Sequence, residues 1–103
     1  MARANEAVAR VRDIAPSTTR RVTVDAENVL LCNVDGTFYA IEDLCTHDGG
    51  ELDQGELEEC RIMCPRHGAY FDVQTGAALT LPAILPLRTF PVRIEGDDIF
   101  VDA

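Results

Sequence analysis

Residues 28–41 read NVLLCNVDGTFYAI. Two runs rich in apolar, β-branched and aromatic residues, Asn28–Val34 and Thr37–Ile41, flank the pair Asp35-Gly36. Asp-Gly between two such runs is a strong hairpin signal, because a tight two-residue turn needs positive φ at both central positions. The same grammar extends outward. Arg21-Val22-Thr23-Val24 alternates polar and apolar residues, and Asp25-Ala26-Glu27 reads as the turn that joins it to the hairpin. Ala7–Val11 alternates weakly before Ile14-Ala15-Pro16-Ser17 ends it. Downstream, Arg61-Ile62-Met63 and Tyr70-Phe71-Asp72 are short strand candidates, and Gln74-Thr75-Gly76 turns the chain after them. Phe90–Glu95, Gly96-Asp97-Asp98 and Ile99–Val101 form a last hairpin. Only Ala77–Leu79 and Glu51–Leu57 leave room for a short helical turn. The fold expected is all-β, a small antiparallel β-sandwich or barrel with Phe38, Tyr39 and Phe90 in its core.

The chain has 103 residues, which is one domain by length, residues 1–103. Apolar residues make up 47% and charged residues 26%, ordinary globular values that exclude a disordered chain. No stretch approaches the roughly 20 apolar residues of a membrane span. Arg3, Glu6, Arg10 and Arg12 interrupt the first residues, so no secretory signal is expected and a cytoplasmic location follows. The net charge is −9, and eleven of the eighteen acids fall between Val22 and Cys60, where there is no arginine or lysine. Such a field repels nucleic acid and anionic membrane, and it either solubilises one face or steers a basic protein toward it.

Four cysteines, at positions 32, 45, 60 and 64, sit in a chain with no export signal, which favours metal or redox chemistry over disulfides. Cys45-Thr46-His47 is a C-x-H pair and Cys64-Pro65-Arg66-His67 a C-x-x-H pair, with sixteen residues between them. The two pairs contain both histidines of the protein. Each opens a glycine-containing loop. Two thiolates and two imidazoles in matched loops point to a metal site, and their softness suits zinc or an iron–sulfur cluster. Cys32, inside an apolar strand, and Cys60, in the strand before the second loop, read as packed residues.

On these residues the sequence resembles the Rieske [2Fe–2S] proteins. The likeness is densest over residues 40–83. It covers the two Cys/His pairs, Gly68, Phe71-Asp72, Thr75-Gly76 and Pro82-Ala83, the last matching the proline loop that covers the cluster in that family. The resemblance implies a β-sandwich base carrying a cluster-binding subdomain of two loops at about residues 43–83. It also implies one [2Fe–2S] cluster per chain, with Cys45 and Cys64 on one iron and His47 and His67 on the other. Gly49, Gly50 and Gly68 then serve as tight turns that aim backbone N–H groups at sulfur, Pro65 fixes the second turn, and Pro82 shields the site. Arg66, at the tip of the second loop, raises the potential slightly, touches a partner or is simply solvated. Asp48, Glu51 and Asp53 are docking acids or surface charge.

By the same resemblance the chain is a one-electron carrier rather than an enzyme. It is similar to the soluble Rieske ferredoxins that receive electrons from a flavin ferredoxin reductase and deliver them to the terminal oxygenase of bacterial aromatic-ring dioxygenases. Its end falls where that fold should end, without a catalytic iron domain, and a monomer is expected. Two alternatives remain at this point: the small redox subunit of a larger oxidoreductase such as nitrite reductase or an arsenite oxidase, and a structural zinc module. The respiratory branch of the family carries a disulfide where this chain has Gly50 and Arg66. It places Ser and Tyr hydroxyls on sulfur where this chain has Ala69 and Phe71. Each missing donor withdraws stabilisation from the more negative reduced cluster. A redox titration is expected to give a midpoint near the low end of the Rieske range, about −150 mV; a value well above zero would contradict this reading.

Overall fold

The computed structural model describes residues 6–44, 51–53, 55–65, 68–81 and 85–102. The strands are β1 (Ala9–Arg10), β2 (Thr19–Val24), β3 (Glu27–Val34), β4 (Thr37–Glu42), β5 (Leu57–Glu58), β6 (Arg61–Met63), β7 (Tyr70–Asp72), β8 (Thr89–Phe90), β9 (Val92–Glu95) and β10 (Asp98–Val101). A 3-10 turn, Val11–Asp13, follows β1. All pairings are antiparallel and form three sheets: β2-β3-β4-β8, β1-β10-β9 and β5-β6-β7.

The β3–β4 hairpin forms as expected. Val34 pairs with Thr37, and Asp35 and Gly36 both take positive φ, 53° and 92°. The β2–β3 turn uses the same conformation at Asp25 and Ala26, so Glu27 already belongs to β3 and pairs with Val24. Strand β2 starts at Thr19, before the visible alternation, because pairing with β3 runs on to Cys32.

Side chains of β3 and β4 alternate between two cores. Val29, Leu31, Phe38 and Ala40 face one side, with Ile14, Val24, Phe90, Ile99 and Val101. Leu30, Cys32 and Ile41 face the other, with Leu52, Leu57, Ile62, Cys64, Ala69, Phe71, Val73 and Leu87. The β2-β3-β4-β8 sheet is therefore the middle layer. Its central strand is apolar on both faces, which is why residues 29–32 read as a continuous apolar run rather than an alternation. Phe38 and Phe90 are buried, as expected, and Tyr39 packs half-buried on the second core. Asn33 is the one polar side chain in the run. Its Nδ2 donates to the Ile14 carbonyl at 2.7 Å and its Oδ1 accepts from Gly36 N–H at 2.8 Å, which ties the hairpin turn to the segment before β2.

Two local expectations are corrected. Phe90–Glu95 is not one strand: Phe90 pairs with Ala40 in the middle sheet, whereas Val92 pairs with Val101 in the outer sheet. Pro91 stands at the switch, where its lack of an N–H leaves no ladder bond to break. Neither short helical turn forms among the described residues: Leu57–Glu58 is strand, and Ala78 bridges to Phe71. The N-terminal alternation shrinks to the two residues of β1 before the 3-10 turn.

Leu31 is fully buried on the face away from β5-β6-β7. Leu31→Ala should cost about 2–5 kcal/mol in urea unfolding, by lost burial plus the cavity left behind, while leaving the cluster spectrum unchanged.

Candidate metal centre

The second ligand loop grows out of the β6–β7 hairpin. Met63 pairs with Tyr70, and the ladder continues one step further, with Cys64 N–H donating to the Ala69 carbonyl at 2.7 Å. Gly68 N–H donates back to the Cys64 carbonyl at 2.9 Å. The chain is thus pinched at the base of a finger whose two feet, Cys64 and Ala69, are fully buried. Cys64 is a free thiol at the base of this finger.

The first loop springs from the end of β4. Asp43 N–H donates to the Asn28 carbonyl at 3.0 Å, so the residue is held to the hairpin just past its last strand position. Its side chain has no exposed surface. Oδ1 accepts from Leu52 N–H at 2.7 Å and from Asp53 N–H at 3.0 Å. Oδ2 faces Arg21 Nε at 3.2 Å, an ion pair without hydrogen-bond geometry, and Arg21 NH1 also reaches Glu51 Oε2 at 3.1 Å. Burial pushes the Asp43 carboxyl above its ordinary range and the Asp53 charge adds to this, while the Leu52 N–H bond, Arg21 and the Asp53 N–H bond pull it back. The returning limb then packs against the strand that leads to the second loop. Leu52 is fully buried in the second core, and Met63 N–H donates to the Glu56 carbonyl at 3.0 Å.

A third segment is tied to the foot of the finger. Leu79 N–H donates to the Tyr70 carbonyl at 2.8 Å, and Tyr70 N–H donates to Thr80 Oγ1 at 2.9 Å. Leu87 N–H donates to the Gly76 carbonyl at 2.7 Å. Gly76 has φ 81°, and a Cβ there would lie 2.2 Å from the Leu87 carbonyl oxygen, so this crossing requires glycine. The apolar stretch 79–87 is thus fastened at both ends, and its described residues are irregular, as its two prolines imply.

Of the four expected ligands, Cys64 is placed as described. Cys45, His47 and His67 lie outside the described residues, as do Asp48, Gly49, Gly50, Arg66, Pro82 and Ala83. Glu51 and Asp53, expected as docking acids or surface charge, border the Asp43 anchor. Cys60 is half-buried against the second core and Cys32 fully buried in it, both as packed residues. The acid trio Asp43, Glu51 and Asp53 brings carboxylates within 4.8 Å of one another, and the cation set against Asp43 and Glu51 is the Arg21 guanidinium. Sequence reading missed Asp43 and Arg21. Asp43 stands inside a run of acids that looks solvated, and the one cue was its position directly after an apolar strand.

The model of the Rieske [2Fe-2S] domain matches residues 5–91. The chain belongs to this family. It is 47% identical over 90 residues to the ferredoxin component of a biphenyl 2,3-dioxygenase from Rhodococcus jostii (strain RHA1), spanning 87% of this chain and 84% of that one. Its fold superposes on the ferredoxin of carbazole 1,9a-dioxygenase from Nocardioides aromaticivorans IC177 with a TM-score of 0.90, at 35% identity, over 93% of this chain and 94% of the other. It also matches a solved complex of reduced oxygenase and oxidised ferredoxin in carbazole 1,9a-dioxygenase, with a TM-score of 0.88 and 37% identity over 93% and 90% of the two chains. A Rieske domain binds a [2Fe–2S] cluster, and the described donor fits one: a buried free thiol at the foot of a hydrogen-bonded finger, backed by an apolar core that keeps water away.

Cys32 is the fully buried cysteine of β3. Burial first, and the Asp43 charge second, push its thiol up to about 12. The folded state therefore keeps this proton while the unfolded thiol loses it above its ordinary value of 9.0, so the residue's effect on stability turns unfavourable as pH rises between the two. With iodoacetamide at pH 8, Cys32 should remain unmodified in the native protein and become labelled in urea, as read by peptide mass spectrometry. Labelling in the native state would contradict the burial.

Proposed function

We propose that this chain is a one-electron carrier of a ring-hydroxylating dioxygenase system. In this reading it takes electrons from a flavin-containing ferredoxin reductase and passes them to a Rieske-type terminal oxygenase. It acts as a cytoplasmic monomer whose single domain spans residues 1–103, with residues 43–83 as the cluster-binding part. The observation that carries the reading is the match, over nearly the whole chain, to ferredoxin components of dioxygenases, including one solved together with its oxygenase. No helix among the described residues is long and apolar enough to cross a membrane.

In the proposed ligand set, Cys45 and Cys64 hold one iron and His47 and His67 the other. A cluster held there would supply one-electron redox chemistry. Two thiolates rather than four leave the oxidised site neutral, so the added electron meets less repulsion than in an all-cysteine site. The chain's own part is to hold the donors in place and to present them. The finger at residues 64–69 fixes Cys64, and the anchor at Asp43 holds the feet of the loop that carries Cys45 and His47.

Docking draws on two kinds of surface. Leu44, next to Cys45, and Leu79 and Leu81, fastened beside the finger, are exposed, with Leu81 80% accessible. Apolar side chains this open beside a redox site suit a brief contact with a partner's apolar rim. Around them the acidic composition favours basic partners.

Anaerobically prepared protein should be red-brown, bleach with dithionite and contain iron and acid-labile sulfide in equal amounts. His47→Ala or His67→Ala should abolish or change that chromophore. A colourless zinc protein, or an unchanged spectrum after either substitution, would overturn the ligand set. Raising salt should slow electron transfer from the reductase; no slowing would sink the electrostatic part of docking.

A further inference from the structure

We propose that Asp43, backed by Arg21, is the positioning residue of the first ligand loop: one buried carboxylate pins both feet of segment 44–51, and so sets how that loop meets the cluster. The inference rests on the reading that Cys45 and His47, within this segment, are ligands.

The geometry singles out this side chain. Segment 44–51 leaves the hairpin at Asp43 and returns at Leu52, and the same carboxylate closes the gap between them. Asp43 is fixed from its own side by the Asn28 carbonyl. Its Oδ1 then gathers the N–H groups of Leu52 and Asp53, at 2.7 and 3.0 Å. Bonds from N–H groups to an ionised acceptor are among the stronger neutral-to-charged contacts, and here they are sheltered, since the side chain has no exposed surface. Arg21 comes from β2, the far side of the sheet from β8. It neutralises Oδ2 and holds Glu51, the last residue of the segment, by its second nitrogen. The carboxylate and guanidinium together grip the returning limb at three successive residues, 51, 52 and 53.

A stability role alone does not require this arrangement. Leu52 already fastens the returning limb by burying its side chain in the second core. An ion pair with one buried partner adds little net stability over an apolar replacement, and the best-attested use of such pairs is to fix register. What the carboxylate adds is orientation of two backbone N–H groups and a fixed separation of the loop's ends, the kind of outer support on which ligand geometry depends.

The test compares Asp43→Ala, Asp43→Asn and Arg21→Gln in the full chain by hydrogen–deuterium exchange of the peptide covering residues 44–53, by the reduced-state EPR signal and by midpoint potential. Asp43→Ala should raise exchange in that peptide about tenfold or more, the scale expected when two such bonds are lost, and should shift the potential and broaden the g-values. Asp43→Asn keeps an oxygen acceptor for Leu52 and Asp53 and should largely restore exchange and line width. Arg21→Gln should fall between the two. If Asp43→Ala matches wild type in exchange and EPR, or if Asp43→Asn opens the loop as far as Asp43→Ala does, the inference is overturned. Should Asp43→Ala fail to fold, the Asn and Gln variants decide on the same readouts. A wild-type protein without a cluster would refute the functional reading instead, and exchange in that protein would still test the pin.

Discussion

Because Val29 to Asn33 are buried without a break, the central strand has no side facing water, and both of its faces have to be covered. The chain meets this demand with one small sheet on each side, and the two cores share β3 and β4 as a common wall. Removing apolar area from water on both faces is the main source of stability for so short a chain. The single polar side chain in the run, Asn33, is kept by satisfying both ends of its amide. It joins the turn of the hairpin to the strand entry at Ile14.

This wall divides the molecule by task. One face, toward β1-β10-β9, holds an apolar core among the described residues. The other carries the sheet from which the cysteine finger rises, and Cys64 and Ala69 are themselves part of that core. The loops that carry the proposed ligands therefore leave from the ends of packed strands. Each is closed at its base, by backbone bonds in one case and by a buried carboxylate in the other. Sites held on strand ends keep their geometry better than sites on free loops.

Charge is redistributed by folding. Along the chain the acids of residues 22–60 stand apart from all nine arginines. In space Arg21 meets Asp43 and Glu51, Arg88 meets Glu27, and Arg61 meets Glu58. The pairs at Glu27 and Glu58 are exposed and contribute little to stability. They do soften the local field, so the surface is less lopsided than the sequence. Leu44, Leu79 and Leu81 remain exposed beside the loops.

Local chemistry carried the sequence reading far. Asp35-Gly36 announces a positive-φ turn whatever surrounds it, and the paired spacing of Cys45, His47, Cys64 and His67 is a property of covalent neighbours that marks the family. The all-β class and the hairpins follow from such short-range rules. What only the tertiary structure decided involves residues far apart in the chain. The switch of sheets at Pro91 depends on Ala40 pairing with Phe90 on one side of it and Val101 pairing with Val92 on the other. The burial of β3 on both faces depends on a third sheet whose strands are two or three residues long, too short to show a period. Asp43 looks like one solvated acid among many until Arg21, Leu52 and Asp53 are brought to it. Neither propensity nor spacing encodes that meeting, because it is created by the folding of β2 and the returning limb against the same strand end.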